Sequence, residues 1–347
     1  MTKKLLLFAV LFNLVLSANA QVEQVVYSYP EVDFIFMDGT TLYYSNSDEE
    51  IRYIDITQED PTSILFNSTL DGPAGFEKKD GFLYVAEFFF GRIMKFDLSE
   101  TNPSPIFVTS AGSSPNNLKF VGDKLYYTDN NGDQVLSYDL SDEINPVQDL
   151  GYVNNCVGID YKDGYLYVST GNQGGIQRLD LSDTNAEWEE IISGLGWILG
   201  IEFLGDELYI ASVSGDSVIK VDITANPLVA VEVVGGLDNP NDIAFDGDIM
   251  YIAEDNFISR VDLSTLSIGE FNPINPISIV PNPAQDVISI SNVRENTDYE
   301  IFDIRGRSLK KGQVFPNSNS VDVSTLSKGH YIISLNNGFV TKKLIKN

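Results

Sequence analysis

The chain has 347 residues, one cysteine, one histidine and a formal net charge of −28 at pH 7. The charge is uneven, because residues 21–272 carry −33 whereas residues 273–347 carry +3. A surface so acidic excludes nucleic-acid phosphates as partners, and Cys156 alone cannot form an intramolecular disulfide. His330 lies near the end of the chain, so catalytic triads and zinc sites that need histidine are excluded from the first 272 residues.

The first 20 residues have the pattern of a secretory signal peptide. Two lysines precede the apolar run Leu5–Leu16, and Ala18-Asn19-Ala20 offers a cleavage site of small residues. The run is shorter than the ~20 apolar residues that span a membrane. We therefore predict that residues 1–20 are removed on export and that no transmembrane segment remains.

The middle of the chain repeats one pattern six times. Each copy has an apolar strand, a turn, Leu-Tyr or Met-Tyr, a polar loop, another strand and Asp-[Leu/Ile]-[Ser/Thr]. The Leu-Tyr elements begin at Leu42, Leu83, Leu125, Leu166, Leu208 and Met250. The closing aspartates, which we expect to cap turns, are Asp55, Asp97, Asp139, Asp180, Asp222 and Asp262. Short strands repeated every ~40–50 residues indicate a β-propeller, so residues 21–271 are predicted to form six blades of an all-β protein.

One strand is left over before the first complete repeat. It spans Val25 to Tyr29, whereas the last repeat supplies only three strands, within 241–264. We predict that the early strand completes the last blade, because closing the ring in this way would protect an exposed sheet edge.

The repeat ends at a linker rich in proline, Asn272-Pro273-Ile274-Asn275-Pro276. Short alternating strands follow at Val287–Ser291, Tyr299–Asp303 and Tyr331–Leu335. This pattern predicts a small, Ig-like β-sandwich as a separate domain over residues 272–347.

The tail contains the segments ISIVPNPAQDVISI, YEIFDIRGRSLKKG, VDVSTLSKGHYIISL and TKKLIKN. In order and spacing they resemble the C-terminal sorting domain of the type IX (Por) secretion system of Bacteroidetes. The resemblance implies that residues 272–347 are read by the export machinery at the outer membrane. It also implies a product that crosses the periplasm and is then secreted or attached to the cell surface. The alternative is an ordinary adhesive β-sandwich.

Two propeller segments carry a second resemblance: PNNLKFVGDKLYYTDNNGDQVL from Pro115 and PNDIAFDGDIMYIAEDN from Pro240. They resemble NHL repeats and, more distantly, the gluconolactonase-like calcium propellers. Such propellers include scaffolds, ligand-binding proteins and some enzymes, so the resemblance implies a fold more strongly than an activity.

Polar side chains should gather at one rim of the propeller, since the start of each inner strand and the end of each second strand meet there. The second strands end on Asn46, Glu87, Asp129, Thr170, Ser212 and Glu254, and Asp242 begins the last inner strand. Oxygen-rich rims suit Ca²⁺. The gluconolactonase-like resemblance implies a metal site at Asn116, Asp129 and Asn241, although the chain lacks that family's initial Glu-Gly-Pro. The alternative is that these groups cap strands and turns.

Aromatic residues mark the same rim. Phe88, Phe89 and Phe90 fill the loop of the second blade, and Trp197 precedes the fifth inner strand. Exposed, they would stack on a sugar or anchor a protein, whereas buried they would plug the channel. With Glu87, Glu254 and Asp242 they form the predicted ligand site.

Two functions, and a bare scaffold, remain open from the sequence. The first is a non-enzymatic protein, secreted or on the cell surface, that binds an extracellular carbohydrate or protein. The second is a Ca²⁺-dependent hydrolase similar to gluconolactonase, which is the case in which a cofactor is expected.

Overall fold

The computed structural model describes residues 22–27, 31–46, 49–142, 144, 146–265, 279–290, 297–303, 307–315, 319–335 and 340–347. The predicted signal peptide and the proline-rich linker lie outside these residues. Apart from three short 3₁₀ helices at Gly171–Gln173, Val213–Gly215 and Leu263–Thr265, the regular structure described is β-strand.

The first 24 strands form six antiparallel sheets of four strands. β1 (Glu23–Tyr27) joins the last sheet. The first two sheets contain β2 (Val32–Asp38), β3 (Thr41–Asn46), β4 (Ile51–Asp55) and β5 (Ile64–Asn67), then β6 (Pro73–Lys79), β7 (Phe82–Glu87), β8 (Arg92–Asp97) and β9 (Ile106–Ser110). The next two contain β10 (Pro115–Val121), β11 (Lys124–Asp129), β12 (Gln134–Asp139) and β13 (Val147–Tyr152), then β14 (Ile159–Lys162), β15 (Tyr165–Ser169), β16 (Ile176–Asp180) and β17 (Glu189–Ile192). The last two contain β18 (Ile198–Leu204), β19 (Glu207–Ser212), β20 (Ser217–Asp222) and β21 (Ala230–Gly235), then β22 (Asp242–Asp246), β23 (Ile249–Ala253) and β24 (Phe257–Asp262).

These sheets are the six blades of a closed propeller, as the repeats predicted. Each inner strand contacts the inner strand of the next blade, and β22 contacts β2 to complete the circle. Six apolar clusters follow the same order, one between each pair of neighbouring blades.

The tyrosine-rich second strands serve two interfaces at once. Leu125 and Tyr127 pack between the second and third blades, whereas Tyr126 faces the fourth blade. Because successive side chains of a strand point to opposite faces, both faces of a blade must be apolar. This explains why the Leu-Tyr elements do not alternate between apolar and polar residues.

The early strand completes the last blade, which confirms the predicted ring closure. β1 pairs with β24 in antiparallel register, and Val26 is buried in the cluster between the last and first blades. An ion pair of 2.8 Å between the Arg260 guanidinium and the Glu23 carboxylate adds to the contact.

The closing aspartates cap turns in all six blades. Asp139 Oδ1 accepts hydrogen bonds from the Ser141 amide at 2.9 Å and from its hydroxyl at 2.6 Å. Equivalent pairs of hydrogen bonds, from the amide and hydroxyl of the serine or threonine two residues later, are accepted by Asp55, Asp97, Asp180, Asp222 and Asp262. The predicted structural role of this motif is therefore confirmed.

Three inner strands need glycine because the neighbouring strand passes close by. A Cβ atom on Gly200 would lie 2.1 Å from Asp242 Oδ1, and one on Gly75 or Gly158 would lie 2.7 Å from a backbone oxygen of the next blade. These glycines let the inner strands crowd around a narrow channel.

The C-terminal residues form a separate β-sandwich of two sheets around one apolar cluster. Its strands are β25 (Ile279–Val280), β26 (Val287–Ile290), β27 (Thr297–Asp303), β28 (Ser308–Val314), β29 (Ser320–Asp322), β30 (Gly329–Leu335) and β31 (Val340–Lys346). The three strands predicted in this region are confirmed as β26, β27 and β30. In the part of the chain that the structure describes, no helix has the length and apolar character to cross a membrane.

Candidate functional site

The propeller channel opens at one rim into a mouth formed by one position of the repeat. This position lies nine residues before each Leu-Tyr element, and all six of its residues line two adjoining cavities of about 240 and 300 Å³. The six residues are Asp33, Ala74, Asn116, Val157, Leu199 and Asn241. We call this region the channel mouth. Sequence reasoning had singled out Asn116 and Asn241 there, and alignment of the repeats adds Asp33 to the same ring.

Aromatic side chains form part of the wall of the mouth. Phe88 lines both cavities, Phe89 lines the larger one, and Trp197 lines the smaller one. Trp197 is 49% exposed and Phe89 66% exposed, so neither ring is a buried plug. Phe90 lies outside both cavities, with its ring 4.7 Å from the Arg92 guanidinium.

Amide side chains supply the polar part of the wall. Asn241 Nδ2 donates to the Val32 carbonyl at 3.0 Å, and Asn130 Nδ2 donates to the Cys156 carbonyl at 3.0 Å, which fixes both side chains. Asn116 differs, because its Oδ1 atom is buried and accepts no hydrogen bond. Buried acceptors are nearly always paired, so this atom stands out in the mouth, as Glu254 Oε1 does among the residues that end second strands.

Asp33 is the only acidic residue among the side chains that line the smaller cavity. Burial, with lesser contributions from the Glu31 and Asp255 carboxylates, raises the pKa of Asp33 from 3.8 to about 7. No donor among the described residues bonds to its carboxylate. Asp33 is half-buried, so its carboxylate adds an acceptor that a ligand in the mouth can reach.

The three acidic residues that end second strands do not line the mouth. Each is buried and holds the loop that leads into its own blade. Glu87 accepts from the Asp71 amide at 2.9 Å and pairs with Arg92. Asp129 accepts from two successive backbone amides at 2.9 and 2.7 Å, and Glu254 accepts from a third at 2.6 Å. The structure thus brings Asn116 and Asn241 together at the mouth but leaves Asp129 apart from them.

Asp242 lies deeper, in a channel segment of about 110 Å³. Its Oδ2 accepts from the Ile35 amide at 3.1 Å, which joins the last blade to the first. Burial raises the pKa of Asp242 to about 7. The same segment contains Glu77, Lys119 and Asp160, with 2.7 Å between Lys119 Nζ and Asp160 Oδ1.

Sequence reasoning missed these charged channel residues, although the repeat register could have found them. Glu77, Lys119, Asp160 and Glu202 occupy one position, six residues before the Leu-Tyr element. Asp160 Oδ2 accepts from the Phe203 amide at 2.7 Å, and Glu77 Oε2 accepts from the Phe120 amide at 3.3 Å. Like Asp242, both carboxylates bridge neighbouring blades and have a structural role.

Comparison with known proteins decides the nature of the C-terminal domain. A family model described as a secretion system C-terminal sorting domain matches residues 278–347. These residues form a sorting domain of that family. The sorting domain indicates a protein that is secreted or held at the outer-membrane surface, with the type IX machinery as its partner.

Ahead of the sorting domain, the propeller is similar in fold to several enzymes. Virginiamycin B lyase from Staphylococcus aureus has 14% identity and a TM-score of 0.53, over 70% of this chain and 98% of that one. A luciferin-regenerating enzyme has 14% identity and a TM-score of 0.58, over 70% and 95%. The aldose sugar dehydrogenase of Streptomyces coelicolor has 13% identity and a TM-score of 0.54, over 71% and 98%. No curated protein matches the chain in sequence. Likeness at this level shows the propeller fold alone.

The mouth offers some of the ligands that a hard cation needs. Asp33 supplies a carboxylate, and Asn116 supplies an amide oxygen that has no other partner. Within the described residues, however, no three histidine, cysteine or acidic side chains gather as a metal-binding group. Ca²⁺ takes 6–8 oxygen ligands, which include amide oxygens and waters, so at this mouth asparagine side chains and water would supply most of the set.

Proposed function

We propose that this exported protein is a binding protein and that its ligand, a carbohydrate or a protein side chain, enters the channel mouth. The observation that carries the proposal is the combination of open aromatic rings with an unpaired buried acceptor. Phe88 and Trp197 offer apolar faces, and Asn116 Oδ1 lacks a donor. Binding sites commonly combine apolar walls with a few convergent polar groups.

The proposal is tested with glycan and peptide arrays, followed by calorimetric titration of any ligand that binds. Trp197→Ala should weaken binding at least about tenfold, or ~1.4 kcal/mol, because a central aromatic contact is lost. Tyr152→Ala is the matched control, since Tyr152 is 69% exposed on the outer strand β13 and lines neither cavity of the mouth. Equal affinities of the wild-type protein, Trp197→Ala and Asn116→Ala for that ligand would refute the proposal.

A second candidate is a Ca²⁺-dependent hydrolase similar to gluconolactonase. The specific observation in its favour is that three residues with side-chain oxygens able to bind a metal occupy the same repeat position on the rim: Asp33, Asn116 and Asn241. Bound Ca²⁺ at 100 times Kd would add ~2.7 kcal/mol to the free energy of unfolding. Thermal melting with and without millimolar Ca²⁺ checks this. An unchanged melting temperature, or an equal rise in Asn116→Ala, would exclude Ca²⁺ at the mouth.

A further inference from the structure

The channel mouth offers amide and indole N–H groups as well as acceptors, and the one carboxylate that lines its smaller cavity is that of Asp33. The side-chain amides of Asn241 and Asn130 each donate one hydrogen bond to a backbone carbonyl. In contrast, the Asp33 carboxylate and Asn116 Oδ1 accept no hydrogen bond from the described residues. A ligand that satisfies both atoms must itself be a donor.

The electrostatic environment of the mouth favours a positive ligand. No lysine, arginine or histidine lines either of the two cavities among the described residues. Glu31 and Asp255 act on Asp33 through their charges, and Glu49 lines the larger cavity with it. The propeller region as a whole carries a formal charge of −33, which raises the local concentration of cations.

The aromatic wall distinguishes an organic cation from a metal ion. Phe34 and Phe88 line both cavities beside Asp33, and Trp197 lines the smaller one. The faces of aromatic rings attract ammonium and guanidinium groups, whereas a hard metal ion is bound by oxygen ligands and makes no use of the rings.

We propose that the channel mouth binds an organic cation, an ammonium or guanidinium group, between the Asp33 carboxylate, Asn116 Oδ1 and the Phe88 and Trp197 rings. This inference rests on the proposed function and names the chemical class of its ligand. The cation has two sources outside the cell, a basic side chain of a peptide or the amine of an amino sugar. Both donate N–H bonds and carry the positive charge that the mouth lacks.

The experiment compares charged probes with neutral counterparts in calorimetric titrations of the full chain. One arm uses a lysine-containing peptide and its acetyl-lysine form, and the other uses a glucosamine oligosaccharide and its N-acetylated form. We expect at least one charged probe to bind about tenfold more tightly than its neutral partner, which is ~1.4 kcal/mol. The arm that shows this preference identifies the source.

The variant Asp33→Asn should remove that preference, because it keeps the shape of the side chain and deletes its charge. Glu100→Gln is the matched control. Glu100 is exposed in the turn after β8, so this substitution removes an equal charge far from the mouth. If both variants weaken binding equally, attraction to the acidic surface as a whole explains the binding and the inference is wrong.

The wild-type protein provides a test that is independent of any variant. The peptide amine stays charged up to a pKa of about 10.4, whereas burial raises the pKa of Asp33 to about 7. Affinity should therefore rise about tenfold between pH 5.5 and pH 8 as Asp33 ionises.

The outcomes separate this inference from the proposed function. Binding of neutral and charged probes with equal affinity, lost in Trp197→Ala, would leave the proposed function standing and overturn the cation inference. Absence of binding by every charged probe would overturn the inference, while the array with neutral glycans would still decide the proposed function.

Discussion

Asp139 and its five counterparts show how single side chains fix the turn that follows the third strand of each blade. The hydrogen bonds from the Ser141 hydroxyl and amide hold the pKa of Asp139 below its ordinary value of 3.8. The same cause lowers the pKa of Asp55, Asp97, Asp180 and Asp222. Five turns thus depend on an ionised carboxylate.

Replacing this aspartate should lower stability in a way that depends on pH. A carboxylate whose folded pKa is lowered stabilises the fold above 3.8, and the contribution disappears as pH falls through the folded pKa. Asp139→Ala should therefore lower the melting temperature at pH 6 and have little effect at about pH 2.5. The control is Asp248→Ala, an exposed aspartate whose side chain makes no described turn bond. An equal loss at both pH values would show that the charge of Asp139 is irrelevant.

Residue identity alone does not reveal which polar groups are free to bind. Glu87, Asp129 and Glu254 stand at the predicted rim, yet each accepts at least one hydrogen bond from a nearby backbone amide. Asp33 and Asn116 lie on the inner strands β2 and β10, and no backbone amide among the described residues bonds to their side chains. The difference depends on loop paths that bring amides to one strand end and not to the other, and no spacing in the sequence encodes those paths.

At the scale of elements, β1 is the strand that joins the two ends of the propeller. Its register with β24 buries Val26 and leaves Gln24 exposed. The sequence predicted this pairing because the repeats left one early strand unassigned and supplied only three strands to the last blade. Without the early strand, the edge of the last blade would expose a row of unpaired backbone donors and acceptors.

Val26→Asp should weaken the closure of the ring. The substitution buries a carboxylate in an apolar cluster, and we expect a loss of about 3 kcal/mol in the free energy of unfolding. Denaturant titration measures the change, and Gln24→Asp is the control on the same strand. Equal stability of the two variants would mean that β1 contributes little to the propeller.

At the scale of the whole molecule, the chain combines an acidic propeller with a basic sorting domain. The repeat period predicted the propeller, and the tail motifs predicted the sorting domain. The channel mouth was predicted less completely, because its walls come from all six repeats and its open rings from two loops. Whether a loop aromatic faces the channel depends on packing, as with Phe88 inside and Phe90 outside.

The sorting domain should be required for export and dispensable for folding of the propeller. A chain truncated after Asn272 keeps every blade, so we expect it to fold and to accumulate in the periplasm. Cell fractionation and circular dichroism measure the two properties, with full-length Tyr152→Ala as the control. If the truncated chain reached the cell surface or the medium at the normal level, the role of the tail in export would be refuted.

The most direct test of the central claim is a crystal structure of the propeller with its best-binding probe. We predict electron density for the probe at the channel mouth, in contact with Trp197 and within hydrogen-bond distance of Asn116 Oδ1. Density on the outer strands or on the sorting domain, with the mouth filled only by water, would contradict the account.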